Sequence, residues 1–126
     1  MDKDETKVRV RRWASIMLLM FMIAALPAWA QSGNVAKGRK VATTRKLGNC
    51  VACHYLPKVE SPGDIGPSLV EAMQEYTMAD RGDVVQWITD ARKFNPHTIM
   101  PPFGTNKILT SEQIEDLVSY LYSLKK

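Results

Sequence analysis

Two thiols and an imidazole stand together at Cys50-Val51-Ala52-Cys53-His54. C-x-x-C-H is the attachment signature of a c-type haem. At this spacing each thiol can form a thioether to one edge of a porphyrin, while the adjoining imidazole reaches the iron from below. Three other chemistries use a bare C-x-x-C. Zinc needs further ligands, yet the chain holds only these two cysteines, His54 and His97. A thioredoxin-like redox pair needs a βαβ setting, and strand signals around the motif are nearly absent. A structural disulfide is open to an exported chain, but a histidine directly after the second cysteine favours thioether use, which leaves no thiol over.

A second group of interest is Asn95-Pro96-His97-Thr98-Ile99-Met100-Pro101-Pro102-Phe103-Gly104, which presents a methionine in a proline-stiffened segment far along the chain. Histidine and methionine are the axial pair that raises a haem's reduction potential. Met100 is therefore the candidate sixth ligand of the iron, opposite His54. Met73 and Met78 fall in or near a helical pattern, where methionine is ordinary core filler. His97 competes with Met100, since imidazole also binds haem iron.

The elements that must hold these groups read as helices. Asn34 is an N-cap for a helix through Val35, Gly38, Val41 and Ala42 towards Leu47, stopped at Gly48-Asn49. Gly38 sits on the apolar face, where a glycine costs about 1 kcal/mol against alanine, so another element is expected to approach closely there. Thr110-Ser111-Glu112-Gln113 fits a capping box before Ile114, Leu117, Val118, Leu121 and Leu124. Lys125 and Lys126 suit that helix's C-terminal end, and a ring from Tyr120 or Tyr122 over Gly38 would lock the first helix to the last. Asp83 to Phe94 reads as a further helix with Trp87 in the core, stopped at Asn95-Pro96. A short helical piece spans 68–76. The expected fold class is all-α.

Residues 1–30 read as a cleaved signal peptide rather than as fold. Lys7, Arg9, Arg11 and Arg12 give a positive start, Trp13 to Leu26 an apolar run, and Ala28-Trp29-Ala30 a cleavage site before Gln31. The run is shorter than the roughly 20 apolar residues needed to cross a bilayer, so no membrane attachment is expected after cleavage. Arg11-Arg12 hints at twin-arginine export, although covalent haem attachment favours thiols delivered unfolded by the general secretory route. Of the chain's formal +4, five of the 17 Lys/Arg and three of the 13 Asp/Glu lie in residues 1–30, which leaves 31–126 at +2. With no cluster of Lys/Arg there, nucleic acid is excluded as a partner. Residues 31–126 form one small domain that buries only about two thirds of its unfolded surface. A haem would complete its apolar core.

Taken together, Gly38, Cys50-Val51-Ala52-Cys53-His54, Gly66-Pro67-Ser68-Leu69, the Met100 loop and Tyr120 resemble the plan of a class I cytochrome c across 31–126. The resemblance implies one covalently attached haem c, and a bond from the His54 imidazole to the carbonyl of Pro67 that orients the ligand. Within that class, Gly48 to His54, Pro62-Gly63-Asp64-Ile65-Gly66-Pro67 and 95–110 are similar to the SoxX family, monohaem subunits of the SoxAX complexes of bacterial sulfur oxidation. That implies a periplasmic electron-transfer subunit, without a substrate site of its own, in an L-cysteine S-thiosulfotransferase. Its partner would be a SoxA-type cytochrome subunit in a heterodimer carrying the catalytic haem. Contacts with a thiosulfate carrier protein and a downstream electron acceptor would be transient. The alternative is a free-standing monohaem electron shuttle, with the same haem and ligands but no permanent partner. A peroxidase or ligand sensor would need a vacant sixth position. The exported protein is expected to have the intact mass of a polypeptide starting near Gln31 plus one haem. A bare-polypeptide mass, after expression with competent haem-attachment machinery, would sink this reading.

Overall fold

A computed structural model describes residues 33–125 of the chain, so the leader reading of 1–30 and the terminal Lys126 lie outside the described residues. Among the described residues there are four α-helices, three short 3-10 turns and no strand. The helices are α1 (Val35–Thr43), α2 (Leu69–Glu75), α3 (Arg81–Asp90) and α4 (Ser111–Tyr122). Among the described residues the fold is all-α, as the sequence predicts.

α1 begins where the side chain of Asn34 accepts the Lys37 N–H at 3.0 Å. A capping box would add a Glu or Gln at the third helical position to take the N-cap's own N–H, but Lys37 stands there and cannot accept. Asp116 of α4 does so instead, its Oδ1 taking the Asn34 N–H at 2.5 Å while the residue is only 5% exposed. A carboxylate at a helix N-terminus also suits the macrodipole. One buried side chain thus caps α1 and sets its register against α4.

Next to this cap the two backbones touch. A Cβ on Gly38 would stand 1.9 Å from the Asp116 carbonyl oxygen and 2.8 Å from the Tyr120 Cβ. The close approach at Gly38 is therefore made by helix backbone more than by an aromatic ring. α4 starts with the Thr110–Gln113 capping box, its two bonds at 2.9 and 3.2 Å. It buries Ile114, Leu117, Val118 and Leu121 against Val41 and Ala42 of α1 and Leu56 of the intervening chain.

Three sequence expectations are corrected. α1 ends at Thr43 rather than near Leu47, with Thr44 extended. Two successive β-branched residues weaken the helix there, and the Gly48 and Asn49 N–H groups turn back onto the Val41 carbonyl. Trp87 is not core but half-buried, stacked on Phe94 at 4.7 Å and 17°. The helix containing it breaks at the extended Asp90, which caps a 3-10 turn (Ala91–Lys93) that brings Phe94 back over the indole. Lys125 serves another helix than its own: its Nζ donates to the carbonyls of Met73 at 2.6 Å and Tyr76 at 2.5 Å, a cation on the orphan C-terminal groups of α2.

The Gly38 contact sets two opposing effects against each other. Alanine gains about 1 kcal/mol of helix propensity, whereas overpacking costs roughly 1–3 kcal/mol or more, and here the obstacle is backbone that cannot move without parting α1 from α4. Gly38→Ala is expected to destabilise by at least about 2 kcal/mol, lowering Tm by about 8 °C or more. Gly82→Ala in α3, where a Cβ meets nothing within 4 Å, should gain a few tenths to about 1 kcal/mol. Thermal unfolding of the two variants, opposite in sign, checks this.

Candidate functional site

The C-x-x-C-H segment is shaped by its own backbone. Asn49 takes a left-handed conformation (φ 47°), which asparagine tolerates. It leads into a 3-10 turn at Cys50–Ala52, where the Cys53 and His54 N–H groups both donate to the Cys50 carbonyl, at 3.1 and 2.9 Å. Both cysteines are half-buried and not disulfide-bonded. Cys50 and Val51 pack against the buried cluster built around α4.

A second segment is laced onto this turn. Gly63 N donates to Val51 O at 2.8 Å, Gly66 N to Cys53 O at 2.7 Å, and Leu69 N to Tyr55 O at 3.2 Å. The lacing brings the Pro67 carbonyl 2.7 Å from His54 Nδ1. A carbonyl only accepts, so Nδ1 carries the proton and donates, which leaves the Nε2 lone pair for a metal. Gly66 lies against the same ring: a Cβ there would sit 2.4 Å from Cε1 and 2.7 Å from Nδ1. The imidazole is therefore fixed in tautomer by one residue and packed by its neighbour.

Met100 is half-buried against the same core cluster as Cys50 and Val51, whereas His97 is exposed. The loop carrying both is held by short-range bonds. Asn95 Oδ1 accepts the His97 N–H at 3.0 Å, and Thr98 Oγ1 the Met100 N–H at 3.1 Å. Beyond the loop, the buried Phe103 accepts at its carbonyl from the Ile108 and Leu109 N–H groups. Ile65 and Ile99, chain neighbours of Gly66 and Met100, are 67% and 82% exposed.

The residues present fit a c-type haem. Two unpaired thiols, an imidazole with Nε2 as its free nitrogen, and a core-packed thioether are the donors such a group needs. Among the described residues no three His, Cys, Asp or Glu side chains converge as a metal-binding group, so zinc finds no donor set. A surface groove of about 870 Å³ lined by Arg39, Lys58, Glu71 and Lys125, among others, includes none of these donors. The sequence reading missed the lacing of 63–69 onto 51–55. Its only trace is the pair of glycines bracketing Asp64-Ile65, where a Cβ on Gly63 would meet the Ala52 carbonyl at 2.2 Å.

Residues 35–125 match the family model of cytochrome c. Over 83 residues the chain is 37% identical to an uncharacterized lipoprotein of Aquifex aeolicus (strain VF5); the match covers 61% of this chain and 37% of that protein. The chain thus spans little more than a third of the length of that curated relative. It is also similar to a chain in the crystal structure of SoxXA from P. pantotrophus, with a TM-score of 0.67 and 32% identity over 77% of this chain and 85% of that one.

Proposed function

This chain belongs to the cytochrome c family, binds haem c covalently and is SoxX-like, and from that premise we propose that it is the electron-transfer subunit of a periplasmic thiosulfate-oxidising complex. In this reading the complex is an L-cysteine S-thiosulfotransferase that joins thiosulfate to a carrier-protein cysteine. A SoxA-type cytochrome is the permanent partner, and the segment before Gln31 is removed on export. The likeness to a SoxXA chain over 85% of that chain carries the assignment.

The donor chemistry supports the same division of labour. Cys50 and Cys53 would hold the haem through thioethers, and His54 would ligate the iron through Nε2. Pro67 keeps the imidazole in the tautomer that frees that nitrogen, at 2.7 Å. Met100 would supply the thioether on the other side. The bound group contributes one-electron chemistry between ferric and ferrous iron. The chain has no other cysteine, so with both thiols and both axial positions used it offers neither a nucleophilic thiol nor an open position for substrate. Bond-making belongs to the partner, and electron handling to this chain.

Co-expression with a SoxA-type partner is expected to yield a stable complex whose haem on this chain is reduced on adding thiosulfate and the carrier protein. If no complex forms and the partner alone oxidises thiosulfate fully, the chain is a free-standing shuttle. For the ligands, Met100→Ala should abolish the sulfur-to-ferric-iron charge-transfer band and lower the reduction potential, because a thioether favours ferrous iron. His97→Ala should leave the band intact. The reverse pattern, read by absorption spectroscopy, would move the assignment to His97.

A further inference from the structure

Asp90 is a buried acid at a break in the helix. It is the last residue of α3 and only 7% exposed, so burial opposes its charge, and its extended backbone (φ −161°, ψ 93°) makes it the N-cap of the 3-10 turn Ala91–Lys93. Its oxygens are nonetheless fully engaged. Arg92 donates from Nε at 2.7 Å, from Nη2 at 2.6 Å and from its backbone N–H at 3.2 Å, and Thr105 donates its hydroxyl at 3.0 Å. Arg92 holds the carboxyl well below the usual carboxylate range, with help from Thr105.

The neighbouring residue grips the same place. The Thr89 carbonyl accepts from Gly104 N at 3.1 Å and Thr105 N at 3.2 Å. Glycine permits this approach: a Cβ on Gly104 would stand 2.7 Å from Thr89 Cγ2 and 3.2 Å from its Cα. Residues 89–90 and 104–105 are thereby fastened together, and the excursion between them carries Met100. Within it Asn95 N returns to Ala91 O at 3.0 Å, Thr98 N to Asn95 O at 3.1 Å, and Met100 N to Thr98 Oγ1 at 3.1 Å. The bonds run nearly unbroken from the fastened base to the methionine.

We infer that Asp90 and Thr105 form a buckle at the base of the 91–103 loop that positions Met100, so that Thr105 is a positioning residue for the sixth iron ligand. This rests on the reading of Met100 as that ligand. Opening the buckle leaves the methionine on a longer, looser tether, which lowers its effective concentration at the iron and lets external ligands compete. The Thr105 hydroxyl is the separable part, because removing it leaves the Asp90–Arg92 pair in place.

The test uses the haem-loaded full chain and titrates imidazole against the charge-transfer band. A hydrogen bond to a charged acceptor corresponds to about tenfold or more in an equilibrium. Thr105→Val is therefore expected to bind imidazole about tenfold more tightly, with the band lost in parallel, and Thr105→Ser to restore wild-type affinity. Asp116→Asn serves as the control for general loosening. It weakens the α1–α4 contact, where the Asp116 carboxylate bonds to Asn34 rather than to this loop, and should lower Tm while leaving imidazole affinity unchanged. Unaltered affinity in Thr105→Val, or an equal shift in Asp116→Asn, overturns the buckle. If the wild-type protein lacks the band, or Met100→Ala retains it, the ligand reading fails and the buckle fails with it.

Discussion

The backbone of Gly38 lies directly against the carbonyl of Asp116, and the remaining architecture follows from that contact. It brings the first and last helices of the domain to backbone distance, so everything between them is a set of connections tethered at both ends. Tethering matters in a chain this small. With few fully buried large side chains, chiefly Leu56, Leu117 and Val118, no connecting segment can rely on a deep core of its own. The Asp116 carboxylate on the Asn34 N–H adds direction to the contact. A helix pair that slid by one turn would leave the buried Asp116 carboxylate unpaired, at a cost of about 1–3 kcal/mol or more.

Within that frame the two candidate ligand segments are built differently. The segment around His54 is made by main-chain bonds from 63–69 to 51–55, so its geometry hardly depends on which side chains occupy 64 or 65. The Met100 segment adds to its main-chain bonds side-chain bonds from Asn95, Thr98 and Thr105, which makes it more sensitive to single substitutions. A cytochrome benefits from such a contrast: the covalently tethered side needs only orientation, whereas the thioether side must hold a weak ligand in place by positioning alone.

Charge is used sparingly and locally. Lys125 neutralises the carbonyl end of α2, and Asp90 accepts from Arg92 and Thr105 at the end of α3. Both charges sit at helix ends and reach groups distant in sequence, which pins connections that hydrophobic contact alone would leave loose. The exposed pair Lys37–Glu112, at 3.2 Å, spans α1 and α4 as well, but solvent screening keeps such a pair near 0–1 kcal/mol.

The sequence by itself determined the helix class, the caps at Asn34 and Thr110 and the apolar stripe of α4, and it singled out the candidate donors at Cys50, Cys53, His54 and Met100. These are legible because they are local: capping acts over three residues, helical periodicity over four, and two thioethers with an adjoining imidazole within five. The end of α1, the partial exposure of Trp87 and the target of Lys125 were read wrongly or missed, because each depends on a chain segment arriving from elsewhere. Only the tertiary structure decided that Asp116 completes the cap of α1, that Gly66 packs the His54 ring beside the Pro67 bond implied by the resemblance, and that Asp90 meets Thr105. Hydrogen bonds between residues 13 to 82 positions apart leave no period or motif in a single chain. They exist because desolvated donors and acceptors must find partners once the helices have closed on one another.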